Sequence, residues 1–346
     1  MVIRKRIRKV LLIGIIITSG FFVLSSFQGQ CLAKEYTIHL HGAAQGTSGH
    51  VITFAWADLI NKHSSWLKTT VSEELAPGVA VPLFVMKPEI RKTDVMFAIS
   101  GTAQGWSMGK PPLSPKKPYD SWTMICRTLT APGIIVTLDS SIKTIHDLKG
   151  KRLACLPRMS PAGTAMVNFI KYGAELEGKI KVDFLGPPAA KDALLSGLVD
   201  AALFPLGSDA PTWMVPGFVV EILSTKKASF VDFTKEAIDK TYKKTTWPVI
   251  PPLHVPEGTY LPNQKAFWAM GVDNYYACDK ELPDDVVYEM LRVMYDHVDQ
   301  FKGYHAMGRA VSREMMGRID VPAEKIHPAA IKFFKEKGIK YGWFEK

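Results

Sequence analysis

Polar and apolar positions alternate from Tyr36 to His41 and the run stops at Gly42, the two-residue period of a strand entering a turn. From Ser48 to Lys62 the spacing lengthens to that of a helix, with Val51, Phe54, Ala55 and Leu59 on one face. Lys68 to Leu75 reads as a second strand, Val79 to Ile90 as a helix interrupted by Pro82, and Asp94 to Ile99 as a short buried strand. The prolines between Lys110 and Pro118, with lysines beside them, mark a surface loop.

A more regular unit begins near Ile134. Ile134 to Thr137 is a strand, and Ser141 is placed to cap a short helix carrying Ile142, Ile145 and Leu148 that ends at Gly150. Arg152 to Leu156 is a strand, and a helix begins between Ser160 and Gly163 and runs to Gly173. Ile180, Val182 and Phe184 alternate as another strand, Ala189 to Ser196 is a helix closed by Gly197, and Val199 to Phe204 is a strand. Strands alternating with helices predict an α/β fold with parallel sheets. Residues 245–264, rich in proline and carrying Tyr260, predict an ordered connection. Val287, Met290, Leu291, Met294, Val298 and Phe301 form a helical stripe with Asp284 and Asp285 at its N-terminus.

The first residues stand apart. Arg4, Lys5, Arg6, Arg8 and Lys9 precede an uncharged apolar run from Val10 to Leu24, and Cys31-Leu32-Ala33 supplies small residues for a cleavage near Ala33. This is the pattern of a signal peptide over residues 1–33 and predicts an exported, periplasmic protein; a retained membrane anchor is the competing reading. Losing that segment takes the formal charge from +10 to +5. No basic run interleaved with aromatics appears, so nucleic acid is not an expected partner, and the remaining positive excess suits anionic solutes. Cys126, Cys155 and Cys278 permit at most one disulfide and show no zinc spacing.

The order of several short segments narrows the class. Asp139 to Lys143, Asp147-Leu148-Lys149-Gly150-Lys151-Arg152, Gly163-Thr164, Leu195 to Ala202, Glu257-Gly258-Thr259-Tyr260 and the ending Ile326-His327-Pro328-Ala329-Ala330 through Gly338 together resemble the TAXI-type solute receptors of TRAP transporters. The resemblance spans about residues 36–340. It implies a two-lobed type II periplasmic-binding-protein fold with a ligand cleft between the lobes, no cofactor, no chemistry of its own, and delivery of solute to TRAP membrane subunits driven by an ion gradient. The expected first lobe comprises residues 34–130 and 225–346, the second 131–224, and a monomer is expected. Three loops depart from the family pattern: Gly42 to His50, Ala76-Pro77-Gly78-Val79, and Ser160-Pro161-Ala162-Gly163-Thr164.

In open α/β sheets, ligands sit where strand ends lead into helices. In the first lobe this selects His41, Ala44, Gln45, Gly46, Thr47 and Ser48, then Ser100, Gly101 and Thr102. In the second it selects Arg158, Ser160, Ala162, Gly163 and Thr164, then Gly207, Ser208 and Asp209; Tyr260 is a further candidate. Helix N-termini, hydroxyls and the Arg158 guanidinium favour a small organic anion, a carboxylate foremost. Each residue has a plainer role available: Ser48 and Ser160 as helix caps, Arg158 as a solvated loop cation, Tyr260 as packing. His39 and His41 leave their strand on one face and form a possible metal pair, but no acid or thiol at ligand spacing accompanies them. P-loop and His-Glu-x-x-His motifs are absent from the sequence. A sensor reporting to a membrane kinase, or an enzyme on the same fold, are the alternative functions.

Overall fold

The computed structural model describes residues 35–43, 45, 47–73, 87–99, 118–158, 161–205, 208, 212–225, 227–244, 252–319 and 321–342. The proposed signal segment, most of the expected helix 79–90, and Ala44, Gly46, Ser100, Gly101, Thr102, Ser160, Gly207 and Asp209 lie outside them.

The unit beginning at Tyr36 carries a ten-stranded sheet. Strands β1 (Tyr36–His41), β2 (Leu67–Ser72) and β3 (Asp94–Ile99) run parallel to one another, with β1 in the middle. Strands β5 (Arg152–Cys155), β6 (Lys181–Phe184) and β7 (Ala201–Pro205) form a second parallel set centred on β5. The two sets are joined by a pair of long antiparallel strands, β4 (Trp122–Thr137) and β10 (Phe267–Asp279). The last residues of β10 pair with β3, and the last residues of β4 pair with β7. Two short strands complete the β5–β7 side: β8 (Ser229–Val231) pairs with Ile135–Thr137 of β4, and β9 (Pro252–Val255) with Phe267–Met270 of β10.

Between those two groups the ladder narrows. β10 is flanked by β3 over residues 274–278 and by β9 over residues 267–270, whereas β4 is flanked by β7 and β8 from Gly133 onward. Among the described residues, no strand lies on the outer edges of 128–132 or 271–273. This explains how Pro132, which has no amide hydrogen to donate, is tolerated inside a long central strand. Two register shifts, at Asn274/Tyr275 and Tyr276/Ala277, fall in the same stretch of β10.

Helices cover the sheet. Helix α1 (Ser48–His63) buries Ile52, Ala55, Trp56, Leu59 and Ile60. Its face is therefore rotated from the expected one: Phe54 is exposed and rests on the His50 ring at 4.4 Å. The indole of Trp56 explains the rotation, since it reaches the carbonyl of Met290 at 3.1 Å and meets Tyr276 edge-on. Next come α2 (Pro161–Asn168), which continues into a π-helical turn at Phe169–Gly173, then α3 (Pro187–Leu195), α4 (Gly217–Leu223) and α5 (Lys235–Lys244). Helix α6 (Asp284–Asp296) buries Val287, Met290, Leu291 and Met294, as its stripe requires; Val298 and Phe301, beyond its end, are buried too. A four-residue helix α7 (Phe301–Tyr304) and α8 (Pro328–Glu336) follow.

The short helical turn at Ile145–Leu148 is capped by Thr144, which shares a capping box with Asp147. Ser141, the expected cap, instead donates its hydroxyl to Asp139 at 2.7 Å. The reciprocal pair satisfies two backbone groups, which a lone serine hydroxyl does not. None of the described helices is long and apolar enough to cross a membrane.

Candidate functional site

Strand registers locate the site. β3 ends at Ile99 opposite Asn274, while β7 ends at Pro205 opposite Gly133, which itself pairs with Met270. Four residues of β10, about 13 Å at the usual rise per residue, separate these two exits. Because β1 is parallel to β3 and β5 to β7, all four strands end facing the narrow stretch of β4 and β10. The strand ends that lead to the loops named from sequence therefore face one place, from two opposing sets.

On the β1–β3 side, the helix-capping hydroxyl is that of Thr47, which accepts the His50 amide at 3.3 Å. Ser48 is buried, and its hydroxyl accepts the Asn274 side-chain amide at 2.7 Å. That bond ties the first turn of α1 directly to β10. Gln45 is exposed, with its backbone amide held by the Glu73 carboxylate at 2.9 Å. His41 is buried at the end of β1 and bonds Asp94 at 2.7 Å. His39, whose ring lies 4.5 Å from that of His41, is held by Thr70 at 2.7 Å and Ser72 at 2.9 Å. The H-x-H pair thus belongs to a hydrogen-bonded chain running from Asp94 across two imidazoles and two hydroxyls. No cluster of three or more histidines, cysteines or acids suited to a metal occurs among the described residues.

On the β5–β7 side, backbone approach is close. A Cβ on Gly163 would lie 2.2 Å from the Pro157 carbonyl oxygen and 2.7 Å from that of Leu156. Only glycine lets the first turn of α2 pack against the end of the preceding loop. Thr164 reinforces the turn by donating its hydroxyl to the Arg158 carbonyl at 3.0 Å, and Ala162 is buried beneath it. The Arg158 side chain is exposed, with its guanidinium 5.7 Å from the Phe184 ring centroid.

After β7, Ser208 is tied to two residues further along the chain. Its wholly buried hydroxyl meets Thr212 at 2.9 Å and accepts the Met214 amide at 3.3 Å. Trp213 stands between those two anchor points with a φ of 41°, in the left-handed region that a bulky side chain enters at a cost of about 1–3 kcal/mol. Its indole is partly exposed and meets Tyr260 edge-on at 6.1 Å. Tyr260 in turn lies 5.4 Å from Phe230, which stacks on Phe267 at 5.1 Å.

Sequence reasoning missed what lies at the narrow stretch itself. Arg127, in β4, is buried and pairs with Asp273 of β10 at 2.8 Å. Thr130 donates to the same carboxylate at 2.5 Å, and also accepts from Arg127; the Tyr275 hydroxyl reaches the other carboxylate oxygen at 3.3 Å. The register shift after Asn274 leaves Thr128 as the extra residue, because Asn274 pairs with Leu129 and Tyr275 with Arg127. Arg127 and Thr130 thereby share a face that strict alternation would deny them. The available signal was a lone arginine and an Asp-Asn pair inside otherwise apolar runs. The left-handed backbone of Trp213 likewise carried no sequence signal.

Three cysteines lie among the described residues. Burial pushes Cys126 up, and pushes Cys155 and Cys278 up to about 12; all three are free and buried.

Comparisons with known proteins agree with this architecture. The model of the NMT1-like family matches residues 49–338. The chain is similar in structure to the periplasmic binding protein BugD, with a TM-score of 0.51 at 13% identity over 89% of this chain and 99% of that one. A periplasmic transporter structure gives 0.51 at 13% identity over 87% and 92% of the two chains. MatC from Rhodopseudomonas palustris with bound malate gives 0.50 at 12% identity over 88% and 96%. At these identities the likeness establishes fold: an α/β, two-lobed periplasmic-binding-protein architecture with its cleft between the lobes.

Proposed function

Since this chain belongs to the NMT1-like family, we propose that it is an exported solute receptor that captures a small organic anion and delivers it to a TRAP-type permease, as its TAXI-like segments suggest. The observation that carries this reading is the convergence of four strand ends, from two parallel sets, on one two-stranded connection. In this reading the lobes divide within β4 near Thr130 and within β10 near Asp273. The second division moves from residue 224 to β10, because β8, β9 and the start of β10 are hydrogen-bonded to the β5–β7 side. The narrow stretch between them serves as the hinge on which the lobes close.

The ligand-contacting groups we assign are the loops from Gln45 to Ser48, Ser100 to Thr102, Arg158 to Thr164 and Gly207 to Asp209. Amides at the start of α1 and α2 and the Arg158 guanidinium supply donors for a carboxylate. MatC, of the same fold, holds malate, which supports an organic acid here. The family match and the likeness to a periplasmic binding protein support a binding protein over an enzyme. Residues 1–33 act as the export signal, and the receptor works as a monomer in the periplasm.

Native mass spectrometry of the purified protein, before and after unfolding and refolding, tests the proposal. A discrete small mass that disappears on refolding is expected, and adding that compound back raises the melting temperature. A ligand-free spectrum together with no stabilisation by any organic acid contradicts it.

A further inference from the structure

We infer that the stacked imidazoles of His63 and His297 form a proton-sensitive clasp between the ends of α1 and α6, closed at neutral pH and opened in mild acid. The inference concerns the β1–β3 side and holds whatever the chain binds. Three observations carry it.

The first is the pairing. His63 is the last residue of α1 and His297 the C-cap of α6. Their rings stack with centroids 3.6 Å apart and planes 13° from parallel. Both side chains are half-buried, so water reaches them. The second is the carboxamide that bridges the rings. Gln300, in the turn after α6, meets His63 Nε2 with its Oε1 at 3.2 Å and His297 Nδ1 with its Nε2 at 3.1 Å. A carboxamide has one accepting end and one donating end. It therefore matches one imidazole N–H and one bare imidazole nitrogen, and it cannot match two N–H groups. With one proton added to the pair the bridge can be kept. With two it fails, and like charges then face each other across the stack.

The third is the charge around the rings. Asp58 and Lys62 lie on α1, Glu289, Arg292 and Asp296 on α6, and Asp299 in the following turn. Each carboxylate is already engaged: Asp58 by Lys62 at 2.6 Å and by the Tyr304 hydroxyl, Glu289 and Asp296 by Arg292 at 2.7 and 3.1 Å, and Asp299 by Arg313 at 3.6 Å. None of these is left to neutralise a second imidazolium. The negative ends of two helices favour the first proton; the neighbouring ring and the occupied carboxylates oppose the second. Burial, and then the His63 ring, hold His297 below its ordinary pKa. Its contribution is complete above about pH 6.5. Below that value it is lost, because the unfolded chain binds the proton more readily than the folded one. Arg292 also donates to the His63 carbonyl at 3.1 Å, so the two helices keep a contact when the clasp opens. The helix that loosens is the one whose first turn is bonded to Asn274 of β10.

Amide hydrogen exchange of the full chain at pH 7 and pH 5, corrected for the intrinsic rates, provides the test. Residues 58–64 and 292–300 are expected to lose about tenfold in protection in acid, measured against the β5–β7 strands. His297→Phe keeps a flat ring against His63 and takes up no proton, so it should remove that pH dependence. Imidazole carbon–proton NMR spectra of the wild-type protein decide the matter without a variant. His63 and His297 should titrate in two steps about one pH unit or more apart. Coincident titration of the two rings, equal protection at both pH values, or a loss that persists in His297→Phe overturns the inference.

Discussion

The two halves of the β4–β10 pair are built on opposite principles. Toward the β5–β7 side, Ile134 and Val136 pack in one apolar cluster with Ala269 and Phe267 while Ile135 joins the core on the other face, all with no exposed surface or almost none. These strands pair in uninterrupted register, and α3 and α4 seal one face with Ala190, Leu194, Val219 and Ile222. Toward the β1–β3 side the same two strands carry Arg127, Thr128, Thr130, Asp273 and Asn274, all buried, and both register shifts. The apolar half gains its stability from contact area, which is non-directional and tolerant of small displacements. The polar half depends on directed bonds that hold in one geometry and fail in others. Placing the directional half beside the stretch where flanking strands are missing gives the connection a defined resting state.

If that contrast is right, the polar half is the more sensitive to a single truncation. Arg127→Ala strands the Asp273 carboxylate in a buried position and should cost about 3–5 kcal/mol in chemical denaturation. The double variant Arg127→Met, Asp273→Leu should recover much of that loss, because both charges are gone. Equal losses in the single and double variants would show that packing, and not the ion pair, sets the stability of this half.

Ser48→Ala probes the same half from the helix side. It leaves the Asn274 side-chain amide buried without its acceptor, at a cost of about 1–3 kcal/mol, read from the same denaturation curves. In the apolar half, Ile135→Val removes one methylene and should cost only about 0.5–1.5 kcal/mol. A larger loss at Ile135 than at Ser48 would reverse the ranking of the two halves.

His327 gives the contrast a pH dependence. It is fully buried, its Nε2 donates to the Leu282 carbonyl at 3.1 Å, and its Nδ1 accepts the Ala329 amide at 3.3 Å as the cap of α8. Its own amide donates to Met124 of β4, on the polar half. Burial holds its pKa below the ordinary value. Above about pH 6.5 both folded and unfolded imidazoles are neutral and the contribution is complete. As the pH falls below that value the unfolded chain takes up a proton that the folded chain refuses, so stability declines. His327→Gln should flatten this decline in melting curves between pH 7 and 5, and cost about 1 kcal/mol through the lost cap.

Those elements that bury one face were readable from the chain. Strand β1, helix α6 and the β5–β7 set carry the periods their environments impose, and Gly150 and Gly197, with φ of 78° and 72°, end their helical segments as glycines in that conformation do. Of strand β4, Ile134 to Thr137 was readable and Trp122 to Gly133 was not, because both of its faces are buried and its charged and hydroxyl residues find partners across the sheet. Pro132-Gly133, a turn signal in isolation, lies where β4 passes from a stretch with no outer strand among the described residues into its pairing with β7. In the candidate site, Thr47, Gly163 and Ser208 could be reached from sequence as loop residues next to helices. What each one does, capping, admitting close backbone approach or clamping a turn, depends on distances that no local pattern encodes. Arg127 and Trp213 required the pairing register and a backbone angle.

Closure at the β4–β10 connection is the claim on which the account turns, and spin-label distances measure it directly. Because Cys126, Cys155 and Cys278 are buried, labels introduced at Asp58→Cys on α1 and Leu198→Cys beyond α3, in protein that lacks residues 1–33 and with them Cys31, report without interference. The account predicts a distance distribution that shortens and narrows on saturation with the carboxylate that stabilises the protein. An unchanged distribution with that ligand demonstrably bound would contradict it.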